Sequence, residues 1–338
     1  MKNILVTGGF GFIGSHLIER LLEESDTHVH VVDNLSSSPL PLPFLLEELG
    51  KPKNLTYSIV SVNDFCRKPD VDTSVFSEIY HLASIVGPAG VLPRAGEIAY
   101  EIVSDSFLLT QMALKNGAKL LDISTSEIYG GGQEGLCSEE MPRIVKAKHS
   151  ARLEYSSGKL AAEIALLNTA DVKGVHAKIA RPFNVAGPRQ SGKGGFVLAR
   201  FVAQAVFGKP LTIFGDGTAL RAFTHVEDIV DAIILAMNKG KDGSVYNIGN
   251  PENKCSINDL AETVLACMKG AGKTFVDPKT IYGAFFEEAN DKFPDASRAM
   301  NELGWKPKFD RQRVVEDAIA YFKGLPPDMQ KHLGALEA

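Results

Sequence analysis

Apolar and polar positions alternate in short blocks through the first half of the chain. β-branched runs ("NILVTG", "HVHVVDN", "LTYSIV", "SEIYHLAS", "AKLLDISTS", "VHAKIARPFNV") are separated by longer stretches with apolar residues at helical spacing. Helices are expected from Ser15, from about Gly96 to Asn116 and from about Tyr155. Strands alternating with helices of this length predict βαβ units and an α/β fold built on a doubly wound parallel sheet. Beyond Asn184 the rhythm loosens, and "GPRQSGKGG", "FGDGTALRAF" and "IGNPENKC" interrupt it with turn residues. The expected organisation is one domain over 1–183 and a smaller, interleaved lobe over 184–325, with a peripheral tail over 326–338. A late strand, "SVYNIGN", is expected to return from the lobe to the sheet.

Composition changes this picture little. The 338 residues are 44% hydrophobic and 23% charged, enough for two lobes with a sizeable core. The net charge of -5 and the lack of any basic block argue against a nucleic-acid partner. The most apolar stretch, "FVLARFVAQAVFGKPLTIF", is broken by Arg200, Gln204 and Lys209, so no membrane span is expected. The chain opens on a strand without a charged-then-apolar leader. Cys66, Cys137, Cys255 and Cys267 are scattered and form no CxxC pair, which predicts reduced thiols in a cytoplasmic protein and no metal site.

The first strand runs into "TGGFGFIGSHL", with four glycines between strand and helix. Gly9, Gly11 and Gly14 fit GxGxxG, the spacing that lets a backbone approach a pyrophosphate at a helix N-terminus. The second strand ends in Asp33, suited to accept hydrogen bonds from a ribose diol and to repel a 2′-phosphate. The expected cofactor is NAD rather than NADP, on a Rossmann domain.

Two later segments carry chemistry. "DISTSEIYGGG" places Ser124, Thr125, Ser126 and Glu127 beyond the carboxyl end of a strand, where ligands of such sheets sit. "EYSSGKLAAEIALL" places Tyr155 and Lys159 four apart on one helix face. An ammonium near the phenol favours phenolate, so Tyr155 is expected to act as general base on a sugar hydroxyl while hydride leaves for NAD.

"TGGFGFIG", "YHLAS", "STSEIYG", "YSSGK" and "RPFNVAGPRQ" together resemble the extended short-chain dehydrogenase/reductase family that modifies nucleotide sugars, from residue 1 to about residue 320. The resemblance implies transient oxidation at C4 of the sugar and hydride return. In the family's form of the glycine motif the matching positions are Gly8, Gly11 and Gly14. It implies cofactor contacts from these glycines and from Phe12, Ile13, Asp33, Asn34, Leu82, Ala83, Tyr155 and Lys159. It makes Tyr155 the base, Lys159 its tuner and ribose anchor, and Thr125 a donor to the sugar. On the nucleotide-diphosphate sugar it implies Asn184 and Arg221 at the diphosphate, with Ser126 and Phe196 also lining the substrate. Arg94, in "IVGPAGVLPRAGE", could bind a carboxylate or stand in solvent. A homodimer formed through the two long helices is also implied.

Glu127 narrows the reaction. Once C4 is a ketone the C5 proton is acidified and a carboxylate can remove it; in a decarboxylation the same ketone accepts the electrons left by carbon dioxide. The Thr-x-Glu pattern resembles members that decarboxylate or dehydrate, which makes a UDP-glucuronate-type decarboxylase or a 4,6-dehydratase the leading expectation. A C4 epimerase, which does not need Glu127 as a base, is the near rival, and a non-catalytic NAD-binding sensor the remote one. Departures from the family are also visible. "EYSSGK" stands for "CYDEGK", Ser61 stands where relatives carry Asp, and the usual helix Asn is replaced near Ile102. An acidic "FFEEANDKFPD" replaces a basic stretch.

Overall fold

The computed structural model describes residues 2–68, 72–130, 135–145, 147, 149–268, 270–282 and 291–334. The alternation seen in the sequence becomes a seven-stranded parallel sheet. Its strands are β1 (Lys2–Thr7), β2 (Thr27–Asp33), β3 (Leu55–Ile59), β4 (Glu78–His81), β5 (Lys119–Ile123), β6 (Ala177–Pro182) and β7 (Ser244–Ile248). The spatial order is β7-β6-β5-β4-β1-β2-β3. After β1 the chain turns outward to β2 and β3, then returns across β1 to β4. That reversal opens a crevice beyond the carboxyl ends of β1 and β4, where doubly wound sheets bind ligands. β7 pairs with β6 from Ser244↔Lys178 to Ile248↔Pro182, so the late strand returns from the second lobe as the sequence predicts.

The central strands are apolar on both faces because helices cover both. Ile4, Leu5 and Val6 have no exposed surface, and Ile79, Leu121 and Ile248 are equally enclosed. The helices that frame the crevice are α1 (Phe12–Leu22), α2 (Ile98–Asn116) and α3 (Ala151–Lys173). α3 starts four residues earlier than the sequence suggests, because the Ser150 side chain accepts from Leu153 N and caps it there. This puts Tyr155 in the second turn, where its backbone is already held by the helix. α2 and α3 lie side by side. A Cβ on Gly158 would come within 2.9 Å of Ala99 Cα, so only glycine permits this spacing.

The second lobe shares the principal core instead of forming its own. Phe201, Ile213, Leu260 and Val314 are buried in one cluster with Ile4, Val6 and Leu17. The stretch after residue 326, expected to be peripheral, is a correction in part. Pro327–Gly334 form a helix that buries Leu333 in that same core, and Ser191 Oγ donates to the Leu333 carbonyl. Leu333 supplies the apolar side chain that its polar neighbours obscure in the sequence; residues 335–338 lie outside the described set. Among the described residues no helix is long and apolar enough to cross a membrane.

Candidate active site

The glycine loop is shaped by close approach. Gly8 has φ of +68°, and a Cβ on it would fall 2.6 Å from Ala83 N. A Cβ on Gly14 would fall 2.1 Å from the Gly8 carbonyl oxygen. The loop is therefore pressed between Leu82 and Ala83 beyond β4 and the first turn of α1, and neither contact survives a side chain. Gly9 faces the core, where a Cβ would fall 2.9 Å from the Val31 side chain. Gly11 gives α1 no side-chain cap. The N–H groups of its first turn, around Phe12 and Ile13, are those an anion at a helix N-terminus takes up.

Asp33 stands across from this loop at the end of β2. Its carboxylate accepts from Phe10 N at 2.9 Å and Leu35 N at 2.7 Å, which fixes it at the rim of the crevice. Burial pushes the Asp33 carboxyl up, and those two backbone donors oppose the shift. Asn34 accepts from Ser36 N and shapes the turn that follows. A bare cradle, an open helix N-terminus and a fixed acid fit a dinucleotide. Beneath the crevice, Thr7 and His81 join through Oγ1 and Nδ1 at 2.7 Å, and Thr7 Oγ1 also accepts from Ala83 N. This support for Ala83 was not found from sequence; a polar pair at the ends of adjacent strands was its only trace.

Thr125 and Tyr155 meet on the other side. Tyr155 shares a hydrogen bond with the Thr125 hydroxyl, and Thr125 Oγ1 accepts from Glu127 N at 3.2 Å. The tuning of Tyr155 requires a correction. Burial raises the phenol pKa well above its ordinary value; the Thr125 bond lowers it, and the charges of Glu127 and Asp122 raise it further. Lys159 donates to the Ile123 carbonyl at 2.7 Å, and burial lowers its own pKa against the pull of Asp122, Glu163 and Asp105. The i, i+4 spacing put the two on one face, but in this state the ammonium serves the strand end rather than the phenol. Ile102 packs with Tyr155 in an apolar cluster, where the sequence pointed to a missing polar residue.

Glu127 is the most constrained carboxylate of the site. Oε2 accepts from Arg152 Nε at 2.6 Å and Nη2 at 2.5 Å, and Oε1 from Lys292 Nζ at 2.5 Å. Burial pushes the Glu127 carboxyl up, but the charges of Lys292 and Arg152 outweigh it and hold the pKa down at about 2. Neither cation was singled out from sequence. Arg152 stands three residues before Tyr155 on the same helix, a spacing that could have revealed it. Lys292 lies in a segment read as acidic. Its proximity to Glu127 depends on Phe293–Pro294 pairing with Leu136–Cys137, and residues 283–290 of that segment lie outside the described set.

The remaining expected residues divide. Ser126 is buried beside Glu127. Arg221 is on a short strand that pairs with Lys254–Ser256; it donates to the Leu220 carbonyl and lies 3.6 Å from Asp291. Asn184 sits between β6 and the lobe with φ of +37°, its amide directed to the Ala222 carbonyl. Phe196 stands over Gly87, in the loop after β4. Arg94, in the short turn before α2, is paired with Glu97 and Glu101 at the start of that helix, so its charge is already met there. Ser61 caps a short helix by accepting from Asp64 N.

The sheet order, the cradle and the helix-borne Tyr155 are the architecture of a nicotinamide-dinucleotide-binding enzyme of the Rossmann type. The chain belongs to the NAD dependent epimerase/dehydratase family, whose model matches residues 4–249. It is 31% identical to the UDP-N-acetyl-alpha-D-glucosaminuronate decarboxylase of Bacillus cytotoxicus, over 97% of this chain and 99% of that one. It is also 31% identical to UDP-glucuronic acid decarboxylase 1 of Xenopus tropicalis, over 95% of this chain and 72% of that one. Among solved structures it is similar to the UDP-glucuronic acid 4-epimerase of Bacillus cereus in complex with UDP-glucuronic acid and NAD. That match has a TM-score of 0.80 and 28% identity, covering 95% of this chain and 99% of that one.

Proposed function

We propose that the chain is an NAD-dependent nucleotide-sugar decarboxylase, acting on a UDP-linked uronate through a transient 4-keto sugar. The observation that carries this reading is the clamp of Arg152 and Lys292 on Glu127. A carboxylate whose pKa is held at about 2 is a weak base. It suits a group that orients a sugar better than one that abstracts a C5 proton, as a dehydratase requires. The similarity to two uronate decarboxylases supports the same choice.

Gly8, Gly11, Gly14 and the α1 N-terminus would hold NAD, with Asp33 as acceptor for its ribose, and the cofactor would supply the hydride acceptor and donor. Thr125 and Tyr155 receive the C4 hydroxyl, Thr125 positioning it and Tyr155 taking its proton as phenolate, a form that burial disfavours and the positive charge of a bound nicotinamide would favour. Lys159 fixes the helix of Tyr155 against the end of β5. Once C4 is a ketone, the C5–carboxyl bond breaks, carbon dioxide leaves and the electron pair passes to the ketone oxygen as an enolate; a proton taken from solvent at C5 then restores the ketone. Tyr155 returns its proton when C4 is reduced again. Asn184 and Arg221 lie toward the diphosphate, with Ser126 and Phe196 along the sugar and nucleotide.

We also propose a homodimer joined through α2 and α3. Tyr100 and Phe107 on one helix and Ile164 and Val172 on the other are exposed apolar residues at seven- and eight-residue spacing. A cytoplasmic location fits the four free thiols.

The test is incubation of the purified protein with a panel of UDP-sugars and uronates, read by product mass. Loss of carbon dioxide from a uronate is expected. Loss of water would make it a dehydratase, and turnover without a mass change an epimerase.

A further inference from the structure

The stretch "GPRQSGKGGF" from Gly187 to Phe196 carries four glycines in ten residues. Glycine loses more conformational freedom on ordering than any other residue, so such a stretch keeps one shape only where the rest of the molecule imposes it. Its second half is held from two sides. On one side stands the helix Pro327–Gly334, anchored by Leu333 in the principal core. The Ser191 hydroxyl accepts from Lys193 N at 3.1 Å, which closes the turn, and donates to the Leu333 carbonyl at 3.2 Å. The last four carbonyls of a helix have no partner within it, so Ser191 satisfies one of them from a distant part of the chain. Lys193 brings a cation to the same helix end, where the dipole favours one, with its Nζ 3.5 Å from His332 Nδ1. A Cβ on Gly192 would fall 2.7 Å from the Gly334 carbonyl oxygen. On the other side is the loop that leads away from Leu82 and Ala83. Gly87 there has φ of +77°, and a Cβ on it would fall 2.5 Å from the Gly194 carbonyl oxygen and 3.1 Å from the Phe196 ring. The turn is thus packed between the last helix and the loop after β4.

We propose that the helix Pro327–Gly334 is a clasp for the substrate side of the site: it orders Ser191–Phe196 against Gly87 before the nucleotide sugar arrives, and so raises affinity for the nucleotide without touching it. This rests on the reading that Phe196 lines the substrate. The reason is entropic. A turn already ordered in the empty protein adds nothing to the cost of binding, whereas a loose one must be ordered by the ligand. Ser191, Gly192 and Leu333 are therefore positioning residues that act through Phe196. The dinucleotide cradle does not draw on the clasp, because Gly8 is seated directly on Leu82 and Ala83.

Gly192→Ala is a clean probe. Gly192 is not among the glycines with a left-handed φ, and the nearest atoms an added methyl would meet all belong to Gly334. NAD, and UDP with NAD bound, are titrated by calorimetry into the unmodified protein, Gly192→Ala and Ser191→Ala. Trypsin cleavage at the Lys193–Gly194 bond is timed on the same proteins. Gly192→Ala should weaken UDP by about tenfold and speed cleavage by a similar factor, the scale expected when a few freed residues must be ordered on binding. NAD affinity should not change. Ser191→Ala should act in the same direction and less strongly. In a chain ending at Leu333, which lacks the Gly334 carbonyl, Gly192→Ala should add nothing further. An effect of the alanine that persisted there would belong to the turn alone and overturn the proposal. So would faster cleavage with unchanged UDP affinity, equal weakening of UDP and NAD, or no change in either readout. If the unmodified protein does not bind UDP, the UDP-linked reading fails by itself, and the cleavage rates with and without Gly334 still decide the clasp.

Discussion

Lys159 donates its ammonium to the Ile123 carbonyl oxygen at 2.7 Å, and so ties α3, which carries Tyr155, to the end of β5, which leads into Thr125. Both residues of the bond are buried. The bond spans 36 residues of chain and holds the two halves of the candidate site in register. A charged donor on a main-chain carbonyl contributes about 1.5–3 kcal/mol, enough to keep one helix rotation over its neighbours.

Replacing Lys159 with Met should therefore remove more than a charge. The methylene stem is preserved, but Tyr155 loses its anchor to the Thr125 strand, and sugar oxidation should fall by about a hundredfold or more. Near-normal turnover in a steady-state assay would show that the link is dispensable.

Glu127→Gln keeps the shape of the clamp and removes its charge. Turnover should drop by roughly a hundredfold, within the range of a positioned acid/base or charged group. C4 oxidation depends on Tyr155, so some NADH absorbance should still appear in the near ultraviolet after substrate is mixed in. Carbon dioxide release at the unmodified rate would refute the role given to Glu127.

Asp33→Ser should reduce the preference for NAD over NADP. The variant loses the acid that repels a 2′-phosphate and also a buried acceptor for Phe10 N and Leu35 N. NAD affinity should fall by about tenfold or more, the worth of one charged hydrogen bond, while NADP affinity rises or holds. Fluorescence titration with both cofactors decides it; an unchanged ratio would count against Asp33 at the ribose.

His81 makes the fold sensitive to mild acid. Burial lowers its pKa from 6.5 to about 4, with Asp122 opposing the shift and Lys159 adding to it. Between those values the unfolded chain binds the proton and the folded one does not. The stability from this group is therefore complete above 6.5 and lost as pH falls toward about 4. The slope it contributes approaches about 1.4 kcal/mol per pH unit. Urea midpoints measured stepwise below neutral pH should fall faster for the unmodified protein than for His81→Asn. Parallel curves would assign the acid sensitivity elsewhere.

Much of this protein was determined by local sequence. The parallel sheet follows from β-branched runs spaced by helical ones, because burial on both faces leaves a continuous apolar signature at each strand. The glycine loop was legible because steric contact at Gly8 and Gly14 excludes every other residue, and the Tyr155–Lys159 face because four residues is nearly one helical turn. Long-range contacts decided the rest. Nothing near Lys292 in the chain announces that it meets Glu127, 165 residues away, since that meeting depends on a two-residue strand pairing with Leu136–Cys137. The direction of the Tyr155 shift also escaped the sequence. Spacing places two side chains on a face, but desolvation and the choice of Ile123 as acceptor for Lys159 arise only when helix, strand and second lobe close around them. Local steric and periodic constraints are written along the chain; the pairing of charges is settled by which partners the folded interior leaves within reach.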